Sequence, residues 1–163
     1  MELKNLLNVI SQHEQLLSEL LVVLGRETTQ MSSVDTAAMS DSDRLKEELI
    51  AKINLNSTAL QKAISDVAVR EGLASKSMLK TIAQQMAARG NRELLVRQEK
   101  LFGLVARVRQ VSDLNREIAE CFADSVATSL DLISRMINQS SFYGASGSYQ
   151  RRSAGAMLVN REA

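Results

Sequence analysis

The chain has 163 residues, 45% hydrophobic and 24% charged, with no proline and only five aromatics: Phe102, Phe122, Phe142, Tyr143 and Tyr149. About eight prolines would be ordinary at this length; their absence and the scarcity of aromatics exclude a β-rich fold and favour long helices with short connections. A formal charge of +1 provides no electrostatic footprint for nucleic acid, and no apolar run approaches the ~20 residues of a membrane span.

Met1-Glu2-Leu3-Lys4-Asn5 lacks the charged-then-apolar layout of a signal peptide. The lone cysteine, Cys121, leaves no internal disulfide, which suits a cytoplasmic protein. From here Leu3, Leu6, Ile10, His13, Leu17, Leu20 and Leu24 alternate three-residue and four-residue steps, the signature of a helix packed against others. This predicts a first helix to about Met31. Ser32-Ser33-Val34-Asp35 reads as a polar turn with capping side chains, and Ser40 is a second cap candidate. A second helix is expected to begin between residues 34 and 41 and to run through Leu45, Leu49, Ile53, Leu60, Ile64 and Val67 to about Glu71. Asn54-Leu55-Asn56-Ser57 is a weak patch at which it would kink. Gly72 is placed as a helix stop. Ser75 then caps a short helix from about Lys76 to Ala88, with Met78, Leu79, Ile82 and Met86 on its apolar face, and Gly90-Asn91 ends it.

The last helix is the longest. Its main seam reads Leu94, Gln98, Leu101, Val105, Val108, Ser112, Asn115, Ala119, Phe122, Val126, Ser129, Ile133 and Met136. A second line, Leu104, Val111 and Ile118, repeats every seven residues on another face, so the helix is apolar over a broad arc. From Ser140 the pattern stops, and a Gly/Ser-rich tail with interleaved aromatics carries net +2 from Arg151, Arg152 and Arg161 against Glu162. The expected architecture is all-α: an elongated antiparallel helical bundle or coiled coil over 1–139, made of three long helices and one short one, with a flexible tail over 140–163.

Catalytic and cofactor chemistry is not expected. One histidine and one cysteine cannot build a typical zinc site, there is no Glu-x-x-His motif for a di-iron bundle, and no Gly-rich loop opens a helix for phosphate. His13 lies on the seam of the first helix and reads as structural; Cys121 reads as a small buried hydrophobe. No enzyme, metal or cofactor follows from these residues.

Leu16-Leu17-Ser18-Glu19-Leu20-Leu21, Glu27 before the turn with Asp35, Leu114-Asn115-Arg116-Glu117-Ile118, and Phe142-Tyr143-Gly144-Ala145-Ser146-Gly147 after the long helix resemble, in arrangement along nearly the whole chain, the FlgN-type flagellar export chaperones. The Tyr143/Gly147 spacing is the most specific of these features. The resemblance implies a cytoplasmic chaperone that holds the assembly-prone terminal helices of hook-associated proteins and helps present them to the flagellar type III export gate. The candidate cargo face is Val126, Leu130, Ile133 and Ile137, where the broad arc of the last helix offers an amphipathic segment a companion. Tyr143 and Gly147 are the implied gate-docking residues. The alternative is a structural or signalling coiled-coil adaptor that self-associates through its long helices; the residues leave the oligomeric state open.

Overall fold

Four α-helices, α1 (Glu2–Ser33), α2 (Thr36–Arg70), α3 (Leu79–Ala88) and α4 (Glu93–Ser140), account for nearly all of residues 1–140, which the computed structural model describes. Among the described residues there is no strand, as the composition implied. The chain divides into two compact units, the first Met1–Ala119 and the second beginning at Glu120. The expected tail over 140–163 lies almost entirely outside the described residues.

In the first unit α1 and α2 form a helical hairpin. Contacts Glu2–Arg70, His13–Asn56 and Glu27–Lys46 pair rising numbers on α1 with falling numbers on α2, so the two run antiparallel. Contacts Glu14–Arg97, Glu14–Lys100 and Leu24–Asn115 rise together, so α4 runs parallel to α1. The short α3 turns the chain between α2 and α4. Its Ile82, Ala83 and Met86 close one cluster with Leu6, Ile10 and Leu17 of α1, Ala63, Val67 and Ala68 of α2, and Leu94 and Leu101 of α4. A second cluster joins Leu20, Val23 and Leu24 of α1 to Leu49 of α2, with Val108 and Val111 of α4 packed against it. The α1 stripe read from the sequence is thus the surface that the other three helices share.

The helix ends show how a proline-free chain turns. After α2 the Leu73 N–H bonds back to Ala68 O at 2.9 Å across Gly72, whose φ is 75°. After α3 the Asn91 N–H bonds to Met86 O at 3.0 Å across Gly90, whose φ is 93°. Both are Schellman turns, which need a left-handed residue, and glycine adopts that conformation without a Cβ penalty. The turn after α1 has the same 6→1 bond, Asp35 N to Gln30 O at 3.1 Å, but its left-handed residue is Val34, with φ 55°. A β-branched residue there is strained. Asp35 then caps α2 by accepting the Ala38 N–H at 3.0 Å, as its side-chain chemistry suggested. Ser32 and Ser33 do not cap; their hydroxyls donate to carbonyls of the preceding turn, and α1 continues to Ser33.

Two expectations are corrected. Ser75 does not start the short helix: Ser77 N–H bonds to Ala74 O at 2.9 Å, closing a turn over those residues, and α3 begins at Leu79 with Met78 exposed at its cap position. α2 runs unbroken through the Asn54–Ser57 patch, where Asn56 has a polar partner on α1. The main seam of α4 is rotated: Leu94, Leu101, Val108 and Asn115 are inward, but Val105, Ser112 and Ala119 are exposed, and Leu104, Val111 and Ile118 take their place. The packed positions alternate three and four as Leu94, Arg97, Leu101, Leu104, Val108, Val111, Asn115 and Ile118, a rotation that also carries Arg97 to Glu14.

Ile10 is fully buried where α1 meets the other helices. Ile10→Ala should therefore lower unfolding stability by about 2–5 kcal/mol through lost burial and the cavity left behind, seen as a lower urea midpoint at unchanged slope. A change below about 1 kcal/mol would place the core elsewhere.

Candidate functional site

Within Met1–Ala119 three polar clusters lie between helices. His13 Nδ1 lies 2.7 Å from Asn56 Oδ1. A carbonyl oxygen can only accept, so Nδ1 carries the proton and donates. Asn56 Nδ2 donates in turn to Gln12 Oε1 at 3.4 Å. The histidine is a buried structural group, as its seam position suggested.

Glu14, one residue on, is buried, and its Oε2 accepts from Arg97 Nη1 at 3.1 Å and Lys100 Nζ at 2.7 Å, both on α4. Its Oε1 is buried without a hydrogen-bond partner among the described residues. The third cluster centres on Asn115, which is 5% exposed. Its Nδ2 donates to Leu24 O at 2.9 Å and to Glu27 Oε2 at 3.0 Å, and its Oδ1 accepts the Thr28 hydroxyl at 2.5 Å. Glu27 Oε1 accepts from Lys46 Nζ at 2.6 Å, and Lys46 also pairs with Asp43 at 2.8 Å. Burial works against the Lys46 charge, but hydrogen bonds and charge from Asp43 and Glu27 outweigh it and raise the pKa above the usual lysine value.

The sequence pattern placed Asn115 on the α4 seam but missed its partners, and it missed Glu14 as a buried partner and Asn56 as a half-buried one. Each is a polar residue whose burial is set by a helix distant in the chain, and periodicity within one helix does not report that. The only sequence signal was position: Asn115 falls seven residues after Val108 and fourteen after Leu101 on an apolar line.

The second unit presents a different surface. Every side chain from Glu120 to Ile137 is exposed. At 3.6 residues per turn, Phe122, Val126, Leu130, Ile133 and Ile137 fall on one stripe of α4 roughly 80° wide. The four residues expected as a cargo face are all there, with Val126 42%, Leu130 59%, Ile133 50% and Ile137 61% exposed. The charged side chains Asp124, Asp131 and Arg135 lie on the opposite side of the helix, where Arg135 bridges Asp131 at 2.8 Å. Cys121 is exposed too, correcting its expected burial, because it stands in this uncovered stretch of the helix. Tyr143 and Gly147 lie outside the described residues.

Among the described residues, no helix is long and apolar enough to cross a membrane, and no group of His, Cys, Asp and Glu side chains is arranged to hold a metal ion. Two shallow depressions lie between α1 and α2, one lined by Leu16, Leu55 and Asn56 and the other by Val22, Leu45 and Leu49, with Lys52 bordering both. The profile of a protein family described as FlgN protein matches residues 1–151. No curated protein and no solved structure matches the chain.

Asn56→Leu should leave the buried His13 N–H without an acceptor and lower stability by about 1–3 kcal/mol, with helicity retained by circular dichroism. An unchanged urea midpoint would mean that water or another group satisfies the ring nitrogen.

Proposed function

Since the chain belongs to the FlgN family of flagellar export chaperones, we propose that in the cytoplasm it holds the assembly-prone terminal helices of hook-associated proteins and presents them to the export gate. The observation that carries this reading is the stripe Val126, Leu130, Ile133 and Ile137, a row of exposed aliphatic side chains along one side of a helix. Proteins that assemble through amphipathic helices bury those apolar faces in the assembly. Before export the same faces need cover, and an aliphatic stripe at helical spacing supplies it as a companion helix would. Tyr143 and Gly147 serve the second step in this proposal: an aromatic side chain gives a gate component contact area at low entropic cost.

Isothermal titration calorimetry of the full chain with terminal helical segments of hook-associated proteins should give saturable binding. Absence of binding at tens of micromolar would overturn the cargo assignment. Val126→Asp combined with Ile133→Asp puts two charges into the contact and should weaken cargo binding at least tenfold while helicity persists; unchanged affinity would move the binding face elsewhere. Tyr143→Ala should leave cargo affinity intact and reduce export of hook-associated proteins, read as secreted protein and swimming radius. Normal export in that variant would remove Tyr143 from gate docking. If light scattering shows instead a tight dimer that cargo segments do not dissociate, the adaptor reading gains over the chaperone one.

A further inference from the structure

The apolar line of α4 has a property that the packed core does not explain. Leu94, Leu101, Val108, Asn115 and Phe122 are each seven residues apart, and so are Leu104, Val111 and Ile118. A repeat of this kind is nearly degenerate under a one-heptad slide of α4 along α1. In one direction Val108 would take the level of Leu101, Val111 that of Leu104, and Ile118 that of Val111. Each exchange replaces one aliphatic side chain by another. Arg107 would reach the level of Lys100 and still offer Glu14 a cation, while Leu104 would take the place of Arg97, so one of the two ion pairs would be kept. In that direction apolar packing and the Glu14 ion pairs therefore specify the register only in part, whereas in the other Glu93 would face Glu14 with a like charge.

The Asn115 cluster specifies it strongly. The amide uses both N–H groups and its oxygen on Leu24 O, Glu27 Oε2 and Thr28 Oγ1, all on α1. A slide by one heptad in either direction puts Phe122 or Val108 against Glu27 and Thr28. It also buries the Asn115 amide at another level of the seam, where in one direction it meets the apolar cluster of Leu20, Leu24 and Leu49 against which Val108 packs. Leaving a buried amide without its partners is the cost that a buried asparagine imposes on wrong registers in coiled coils.

We propose that Asn115 is a register key: its bonds to Leu24, Glu27 and Thr28 hold α4 in one heptad register on α1 and so prevent the apolar residues that follow, beginning with Phe122, from being drawn onto the α1 seam. Only the consequence for cargo, that the stripe stays available, rests on the chaperone reading. The register itself does not.

The test is a distance measured without cargo, so its failure and the failure of the cargo reading are separable. In the full chain carrying Cys121→Ser, spin labels at Gln15→Cys and Gln110→Cys, both exposed, report the α1–α4 register by pulsed electron paramagnetic resonance. The parent should give one distance. Asn115→Leu should add a second population displaced by up to about 10 Å, the rise of one heptad. Asn115→Leu with Phe122→Asn moves the amide by seven residues and should make the displaced distance the main one. Should Asn115→Leu fail to fold, Glu27→Leu removes the partner without touching α4 and should also produce the second distance. A single parental distance in all folded variants would overturn the proposal.

Discussion

A helix with an apolar stripe needs partners, and in this chain α1 is the partner on which every other element depends. Leu6 and Ile10, fully buried, meet α2, α3 and α4 in one cluster, while Leu20, Val23 and Leu24 form the second with Leu49 and the middle of α4. Helices of this length draw little stability from propensity alone; tertiary burial of the amphipathic face supplies it. The direction of α4 follows from the same dependence. With α1 and α2 antiparallel, α4 reaches the α1 stripe from its start because α3 turns the chain at the end of the hairpin where Leu6, Ile10 and Val67 lie. The two glycine turns, at Gly72 and Gly90, make that reversal in few residues.

What the sequence revealed and what it concealed divide along a physical line. Features that depend on neighbours in the chain were legible: the α1 stripe including His13, the Asp35 cap, and the stops at Gly72 and Gly90. Local chemistry fixes each of them. Features that depend on a distant helix were not. The rotation of α4 was ambiguous because it has two apolar lines, and only the hairpin and the Arg97–Glu14 pair choose between them. Asn56 read as a helix-weakening residue, yet it accepts the His13 N–H from 43 residues away. Val34 hid the left-handed turn, since valine is among the last residues expected there, and the packing of the α1–α2 hairpin imposes it against local preference. For the candidate site, the aliphatic stripe after Ala119 was legible because it is pure periodicity. The clusters around Glu14 and Asn115 were not, because a polar residue on an apolar line gives no sign of whether it is a fault or a bonded partner.

The polar clusters also set the chemistry of the first unit. Burying Glu14 and Asn115 contributes less to stability than aliphatic residues would, since the desolvation of a carboxylate or an amide offsets much of what its bonds return. The Asn115 bonds instead distinguish one register of α4 on α1 from its neighbours, and the Glu14 pair with Arg97 selects which face of α4 turns toward α1. Glu14 is the harder case. With Oε1 unpartnered among the described residues, its burial costs more than its bonds to Arg97 and Lys100 alone would indicate. Both cations remain partly in water, where they hold part of their hydration, so the ion pairs are screened and the carboxylate bears most of the desolvation.

The stripe from Phe122 to Ile137 is built on the opposite principle. The hydroxyls beside it are satisfied within the helix itself: Ser125 donates to Cys121 O at 2.9 Å and Ser129 to Ser125 O at 2.8 Å. On the proposed reading, a helix laid against it would meet a mainly apolar stripe among the described residues. Apolar area would then govern the contact, which would tolerate many sequences and several registers. On the chaperone reading that permissiveness is the useful property, because the surfaces to be covered are apolar faces evolved to fit other partners. On the chaperone reading, exclusivity in the first unit and tolerance in the second follow from one difference: where α4 carries a buried amide it admits a single partner geometry, and where its exposed stripe is apolar and flanked by internally bonded hydroxyls it would accept any helix with a matching stripe.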